Sequence, residues 1–583
     1  MSRPSPRRLS TLAFRVGAAI PAGVFWIFRK LTRPFPAGCT VLVFMAAFFA
    51  TGVAGIDFGV HWDEWYHMQG VTGCIHRLSL LPDSLSYGGP YFTLGFPVVL
   101  WHQWQNVLGM VHDLRTLPVS VGITALPNVI KFQAEATALV NSSAYVLQIR
   151  TVFLGLTSLS ILWVFLAVLR CWPRRYGAAL AAAAFMAFSW EVGYHARWLA
   201  VDAPLTQFCA LELLLFCGAW HARGPGAGLR WYCAAAVVSG AVFACKLTGL
   251  FAVLPTVITP LLVRGPFTIR ARLGRMVLGG TLFVVAAFVL SPEFFLEPLK
   301  FLNVLRSGSA DYNSAPVTNP HYVGLFEHLW RVLAWFVAVL PSPYLGVALA
   351  FSLVALLGLG SMLRRERRMT LTWFTFIATF VLVFTRNHLL VIRQYLMIAP
   401  FVALCFARGA IVAWDFLRAK SPRLVPVFAL LVVAGFAANA TNEISKAWHV
   451  THDTDGSISD DVVKDLLAEK RPVRMSTPVL ERLRSRLGTA YTCHPANPAD
   501  QTVTHFLAYA SEHEWMGNRV RAFRHTYGSA EANVDYYTGW LGRMQLSRME
   551  DLWMDQMVSL HRDMKRDVDC FPAPPPPPSD KHG

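Results

Sequence analysis

Apolar residues in this chain come in long, nearly unbroken runs. The first covers about 37–56. Ten more lie near 146–169, 177–194, 203–220, 231–245, 247–263, 276–291, 344–363, 371–385, 389–407 and 425–440. Each approaches the roughly 20 residues that a helix needs to cross the hydrocarbon of a bilayer. Some are short enough to merge or tilt. The pattern predicts a polytopic α-helical membrane protein with about 11 transmembrane helices. After residue 450 polar and apolar positions alternate and turn residues interrupt them, which predicts a small mixed α/β domain. Within it, Asp461–Glu469 has helical spacing and Thr502–Ala510 is a candidate strand. Pro572–Pro578 is proline-rich and predicted to be disordered. The expected organisation is a basic cytoplasmic N-terminus (1–36), a membrane module (37–442), an extracytoplasmic α/β domain (443–571) and a disordered end (572–583).

Composition agrees with this reading. Of 583 residues, 54% are hydrophobic and only 15% charged, with mean hydropathy +0.42. A soluble chain carries about 25% charged residues, so a single large soluble domain, a disordered protein and a fibrous repeat are all excluded. The net charge of +17 is uneven. Residues 1–442 hold 35 Lys and Arg against 15 Asp and Glu, whereas residues 443–583 hold 17 against 20. In a soluble protein such a basic excess would suggest nucleic acid. Here it lies in short loops between apolar runs, where it sets membrane topology, and no nucleic-acid partner is expected.

Seven basic residues and no acid precede the first run, which reads as a signal anchor with its N-terminus inside. The inside loops are then Arg170–Arg175, Arg223–Arg230, Arg264–Arg275, Arg364–Arg368 and Arg408–Arg423. The outside segments are 57–145, 195–202, 292–343, 386–388 and the tail after 441. The protein is expected in a plasma or inner membrane rather than the endoplasmic reticulum, with its active site on the extracytoplasmic side. The ten cysteines form no CxxC pair and no Cys/His framework. Cys493 and Cys570 could pair on an oxidising side. The position of Cys570 at the edge of the proline-rich end weighs against it.

Candidate chemistry lies in the outside segments. Asp63 and Glu64 are adjacent carboxylates between Trp62 and Trp65. A carboxylate beside aromatic rings can serve as a general base; an acidic pair at a helix start can also simply complement the helix dipole. Tyr87-Gly-Gly-Pro-Tyr-Phe92 is a turn with aromatic flanks. Arg197 and Asp202 fall at the outer ends of two runs, Lys246 sits between two short ones, and Arg386, His388, Arg393 and Tyr395 crowd another end. Charges at such depth are paired or functional. Arginine suits bidentate contact with phosphate and lysine a point contact. Carboxylates to activate a hydroxyl and cations to hold a phosphate suggest group transfer from a lipid-linked phosphate.

The same residues resemble the motifs of the membrane-embedded type-C (GT-C) glycosyltransferases, which include protein mannosyltransferases and lipid A aminoarabinose transferases. Asp63-Glu64 resembles the diacidic motif of the first outer loop. Gly89-Pro-Tyr91 is similar to the family's Pro-rich segment, with Gly88-Gly89 as a departure. Arg197…Asp202-Ala-Pro204 resembles its Arg…Asp-x-Pro pattern, and Cys245-Lys-Leu-Thr-Gly249 its Lys-Tyr/Phe-Thr-Gly segment. Ser291-Pro-Glu-Phe resembles an Asn-Pro-Tyr opening. Arg393-Gln-Tyr-Leu-Met-Ile-Ala-Pro400 resembles Arg-Tyr-Leu-x-Pro, with Gln394 interrupting the pair.

The resemblance covers about 57–400. It implies a polyprenyl-phosphate-linked sugar donor, an inverting single displacement and a lipid, glycan or protein acceptor. It gives Asp63 the role of base, with Glu64 as the alternative. Lys246 and Arg393 are expected on the donor phosphate. Arg197 is expected either beside them or in an ion pair with Asp202, and Tyr91, Asp202 and Tyr395 are expected to help bind substrate. Some members bind a divalent metal, for which His61, His67, Asp63 and Glu64 are the candidate ligands here. The competing class is a transporter or flippase for an anionic lipid or lipid-linked sugar. It calls for internal repeats and charges at mid-membrane. No repeat is evident, and the charges cluster at the outer ends.

Overall fold

In a computed structural model of the chain, residues 33–54, 56, 62–82, 87–117, 123–197, 199–263, 267–313, 324–388 and 390–452 are described. In the C-terminal part, 463–464, 466–468, 470, 472–475, 480, 483–485, 487–495, 502–503, 505–509, 534–536, 544–548 and 568–573 are described. The chain is a polytopic α-helical membrane protein with a small C-terminal sheet. Among the described residues, eight helices are long and apolar enough to cross a bilayer: Pro34–Val53, Ala144–Cys171, Pro225–Cys245, Ile269–Leu290, Leu345–Arg365, Arg367–Phe384, Arg393–Lys420 and Pro422–Ile444. Three shorter apolar helices are Tyr176–Ala187, Pro204–Trp220 and Leu247–Leu262.

The eleven expected segments fall on these helices, with two differences. The segment 177–194 is not one helix. It breaks at 188–189, where the buried Ser189 hydroxyl donates to the Leu340 carbonyl at 2.8 Å, and resumes as Trp190–His195. The last apolar helix does not stop near 440 but continues to His452.

The expected inside and outside loops gather at opposite ends of the bundle. At one end Arg175 forks onto Asp415 with both contacts at 2.9 Å, and Glu366 accepts from Trp172 Nε1 at 2.8 Å. These contacts join the Arg-rich loops. At the other end the long outer segments fold into short helices, among them Trp62–Arg77, Gly89–Thr93, Pro127–Val140 and Leu325–Ala338. Helix Val425–His452 starts at the Arg-rich end, so the tail departs from the end that carries the outer segments.

Interhelical packing uses small residues, as expected where lipid tails are as apolar as the side chains. Helices Leu345–Arg365 and Ala399–Lys420 meet backbone to backbone. A Cβ on Gly358 would lie 1.8 Å from the Cys405 carbonyl oxygen, and one on Gly409 would lie 1.7 Å from that of Val354. Neither glycine can be replaced without separating the helices.

The C-terminal sheet has six strands: β1 Val473–Met475, β2 Tyr491–Pro495, β3 His505–Tyr509, β4 Val534–Tyr536, β5 Met544–Arg548 and β6 Val568–Pro572, in the order β2-β6-β1-β3-β5-β4. Only β1 and β3 run parallel among these pairings. Strand β3 matches the expected strand at 502–510, and 463–464 and 466–468 are helical as expected. Cys493 and Cys570 are directly opposed on β2 and β6 and form a disulfide. The reading against a bridge is thus corrected: Cys570 is buried in β6, which runs on through Pro572, the first residue of the expected disordered end; from 574 that end lies outside the described residues. Beside it Arg474 forks onto Asp569 at 2.6 and 3.0 Å, a buried cross-strand pair.

Candidate active site

Helix ends place the central charges. Asp202 opens helix Asp202–Trp220 and Lys246 closes helix Pro225–Cys245. A carboxylate at a helix N-terminus and an ammonium at a C-terminus both complement the macrodipole. The two side chains meet, with Lys246 Nζ 2.8 Å from Asp202 Oδ1. Arg393, in the short 3-10 helix Ile392–Ile398, brings its Nε to 3.4 Å from Asp202 Oδ2. All three residues are buried. The Tyr87 ring lies 6.0 Å from Lys246 Nζ. Three of the expected site residues, from three distant stretches of sequence, therefore form one cluster.

The turn at 88–91 docks onto the C-terminal end of helix Pro225–Cys245, just before Lys246. Gly88 N–H donates to the Cys245 carbonyl at 3.2 Å, and Gly89 N–H donates to Ser291 Oγ at 2.6 Å. Ser291 in turn donates to the Ala244 carbonyl at 2.9 Å. A Cβ on Gly88 would fall 1.6 Å from the Ala244 oxygen. The two glycines that depart from the Pro-rich motif are thus the residues that permit this close approach.

Glu64 and Tyr91 hold the loop leading to Asp202. Glu64 Oε1 accepts from Leu199 N–H at 3.3 Å, and Tyr91 OH donates to the Leu199 carbonyl at 2.6 Å. Glu64 is fully buried in a fork with Arg150, whose Nε and Nη2 each lie 2.6 Å from a carboxylate oxygen. Arg150 Nη1 also donates to the Ile56 carbonyl at 2.6 Å. Glu64 is thus a buried carboxylate paired with Arg150. Asp63 lies one residue earlier on the same helix, Trp62–Arg77, and its side chain lies outside the described residues.

Arg197 does not pair with Asp202. Its Nη1 and Nη2 donate to the carbonyls of Ala54 and Thr51, at 3.1 and 2.9 Å. It caps the C-terminus of the first apolar helix, where a cation satisfies carbonyls left without intrahelical partners. Tyr395 is bonded to His328. Its hydroxyl lies 3.2 Å from Nε2 of His328, whose Nδ1 lies 2.8 Å from the Asn387 carbonyl. A carbonyl only accepts, so Nδ1 carries the proton and Nε2 accepts from the tyrosine.

The expected metal ligands separate in the same way. His67 is buried with Nε2 3.0 Å from Tyr145 OH, and burial pushes its pKa down to about 3. Glu64 is committed to Arg150, His61 lies outside the described residues, and no three His, Cys, Asp or Glu side chains gather among the described residues. Glu64 and His67, the described members of that set, do not fit a metal.

The sequence did not single out Arg150, and it marked Ser291 only as the first residue of the Ser291-Pro-Glu-Phe segment. Arg150 had a signal, being the one cation in the apolar run from 146 to 169. Ser291 had the motif resemblance, but nothing in it pointed to the contact with Gly89.

No protein-family model and no curated protein matches the chain. Solved structures do. The chain is similar to ArnT from Cupriavidus metallidurans bound to undecaprenyl phosphate, at 14% identity and a TM-score of 0.42, covering 87% of this chain and 97% of that one. The apo state of the same protein matches at 14% identity and 0.42, covering 88% and 98%. The Archaeoglobus fulgidus oligosaccharyltransferase in complex with Zn and sulfate matches at 14% identity and 0.37, covering 71% and 55%.

Proposed function

We propose that the protein is an integral-membrane glycosyltransferase that moves a sugar from a polyprenyl-phosphate donor to an acceptor hydroxyl or amine, with inversion, on the extracytoplasmic side. The observation that carries this reading is the meeting of Lys246 and Arg393 on Asp202, three residues from the Leu199 peptide held by Glu64. That contact ties the helix that carries Asp63 to the loop leading to Asp202. In the proposed reaction the Asp63 carboxylate takes the acceptor's proton as the acceptor atom attacks the anomeric carbon. The bond from that carbon to the phosphate oxygen breaks, and the electron pair leaves with the polyprenyl phosphate. Lys246 and Arg393 stabilise the charge that develops on this leaving group, so no second acid is needed. Asp202 holds the two cations in place before the donor arrives. This differs from a hydrolase, in which two carboxylates flank the bond.

The test is mass spectrometry of lipid-linked sugars and glycoconjugates in cells lacking the protein. One polyprenyl-phosphate sugar should accumulate while one glycoconjugate loses that sugar. Restoring Asp202→Asn should leave the accumulation in place. An unchanged glycoconjugate profile together with donor trapped on one side of the membrane would overturn transfer in favour of transport.

A further inference from the structure

A second polar region lies at the Arg-rich end of the bundle, remote from Asp202. Helix Asp202–Trp220 has 19 residues, with Asp202 at one end and Trp220 in the wall of a cavity at the other. At about 1.5 Å per residue the helix spans roughly 28 Å, close to the ~30 Å thickness of a hydrocarbon core. Helix Pro225–Cys245 makes the return journey, from Pro225 in the same cavity wall to Lys246. The cavity therefore sits at headgroup depth in the leaflet opposite the candidate active site.

The cavity holds about 710 Å³ and is lined by five arginines, Arg275, Arg364, Arg365, Arg367 and Arg368. Of its one acidic wall residue, Glu366, Oε1 accepts from Trp172 Nε1 at 2.8 Å and lies 3.9 Å from Arg408, while Oε2 is buried without a hydrogen bond. Arg275 stacks on the Phe267 ring at 3.8 Å. The side chains of Arg364, Arg365 and Arg367 make no hydrogen bond or ion pair with another described residue.

Two of the arginines also sit where cations are disfavoured. Arg367 and Arg368 open helix Arg367–Phe384, which has Glu366 at its N-cap but no acid in its first turn. The positive end of the helix dipole thus adds to the arginine charges. Loop arginines that only set topology need no shared cavity and gain nothing from a helix N-terminus. Between the arginines the wall is mainly apolar, with Leu229, Pro260 and Met369, and carries His221, Tyr232 and Thr259. Guanidinium groups around an apolar-walled space suit a phosphate carried on hydrocarbon.

We propose that this cavity binds a phosphate-bearing anion, the headgroup of an anionic phospholipid from the leaflet opposite Asp202. The phosphate would be held by Arg364 and Arg367 and by the N-terminus of helix Arg367–Phe384, with acyl chains running out along the apolar wall. The site is separate from the donor site and independent of the proposed reaction.

The test uses the full-length purified protein in detergent, titrated with phosphatidylglycerol, with phosphatidylcholine and with millimolar inorganic phosphate. Bound lipid is read by native mass spectrometry and stability by thermal unfolding. Phosphatidylglycerol should be retained and should raise the unfolding midpoint; phosphatidylcholine should do neither. The Arg364→Gln/Arg367→Gln variant should bind phosphatidylglycerol at least about tenfold more weakly, the scale of losing one charge-assisted contact. Both side chains are exposed, and the titration reads binding apart from folding. The control, Arg270→Gln/Arg423→Gln, removes equal charge from the same end outside the cavity wall and should bind as the native chain does. Equal loss in the control would overturn the site, as would equal retention of both lipids. Full protection by inorganic phosphate alone would support the anion site and assign it to a soluble phosphate.

Discussion

Glu64→Gln separates the roles of two adjacent carboxylates. Glu64 is fully buried and Arg150 is 1% exposed, and the two share a fork with both contacts at 2.6 Å. Neutralising the acid leaves a guanidinium charge in the interior and turns an amide N–H₂ toward one of its donors. Breaking a buried pair from one side costs about 3–5 kcal/mol. Each 1.4 kcal/mol is roughly tenfold in an equilibrium constant, so the folding equilibrium constant falls by at least about a hundredfold. The unfolding midpoint of the detergent-solubilised protein, followed by tryptophan fluorescence, should drop markedly. Adding Arg150→Met removes the stranded charge and should recover much of the loss, because an apolar pair of similar volume often replaces a buried ion pair at little cost. Asp63→Asn should behave in the opposite way, with an unchanged midpoint and turnover lower by about 10²–10⁴-fold. Turnover is compared at a temperature well below every midpoint. If Glu64→Gln keeps its midpoint and loses turnover, Glu64 is the base and the structural assignment fails.

The remaining predictions concern three other places. Lys246→Gln and Arg393→Gln should each raise the donor KM by about 10–150-fold, the scale of a charge-assisted hydrogen bond; donor titration with an unchanged KM in both would remove them from the site. His67 should make stability pH-dependent on the acid side. Its pKa falls from 6.5 to about 3 on folding, so its contribution is whole above about 6.5 and is lost as pH falls from there toward 3. Unfolding midpoints measured across that window should fall less steeply for His67→Gln. Cys493→Ser opens a bridge between residues 77 apart and should destabilise the C-terminal domain by about 4–5 kcal/mol on chain-entropy grounds. Limited proteolysis should cleave that variant faster after 470, and equal rates would show that the sheet does not depend on the bridge.

The sequence made the helices legible because membrane burial writes a continuous apolar signal along the chain. The sorting of loops by charge was legible for a similar reason, since topology is read from local Arg content. The cluster of Asp202, Lys246 and Arg393 was legible as a set of costly charges at helix ends. What each charge touches was not, because tertiary partners leave no local mark. Glu64 and Arg150 are 86 positions apart, and nothing near either one names the other. Arg197 and Asp202 look like a pair by proximity in sequence, yet Arg197 turns to carbonyls of the first helix. Cys570 borders a proline tract, but the strand that buries it is defined by pairing with β1 and β2 rather than by its own composition.

The seam between Gly358 and Gly409 bears on the chemistry from a distance. It locks helix Ala399–Lys420 lengthwise, since each glycine faces a backbone oxygen of the other helix and has no room to pass it. Arg393 belongs to the 3-10 helix that runs straight into this helix. A slip of one residue along the seam would carry Arg393 by about 1.5 Å. That displacement would turn a 3.4 Å contact with Asp202 into a gap. Two residues that touch no substrate thus set the depth at which the cation stands in the membrane, and a methyl group added to either would be felt at the far end of the helix as a misplaced charge.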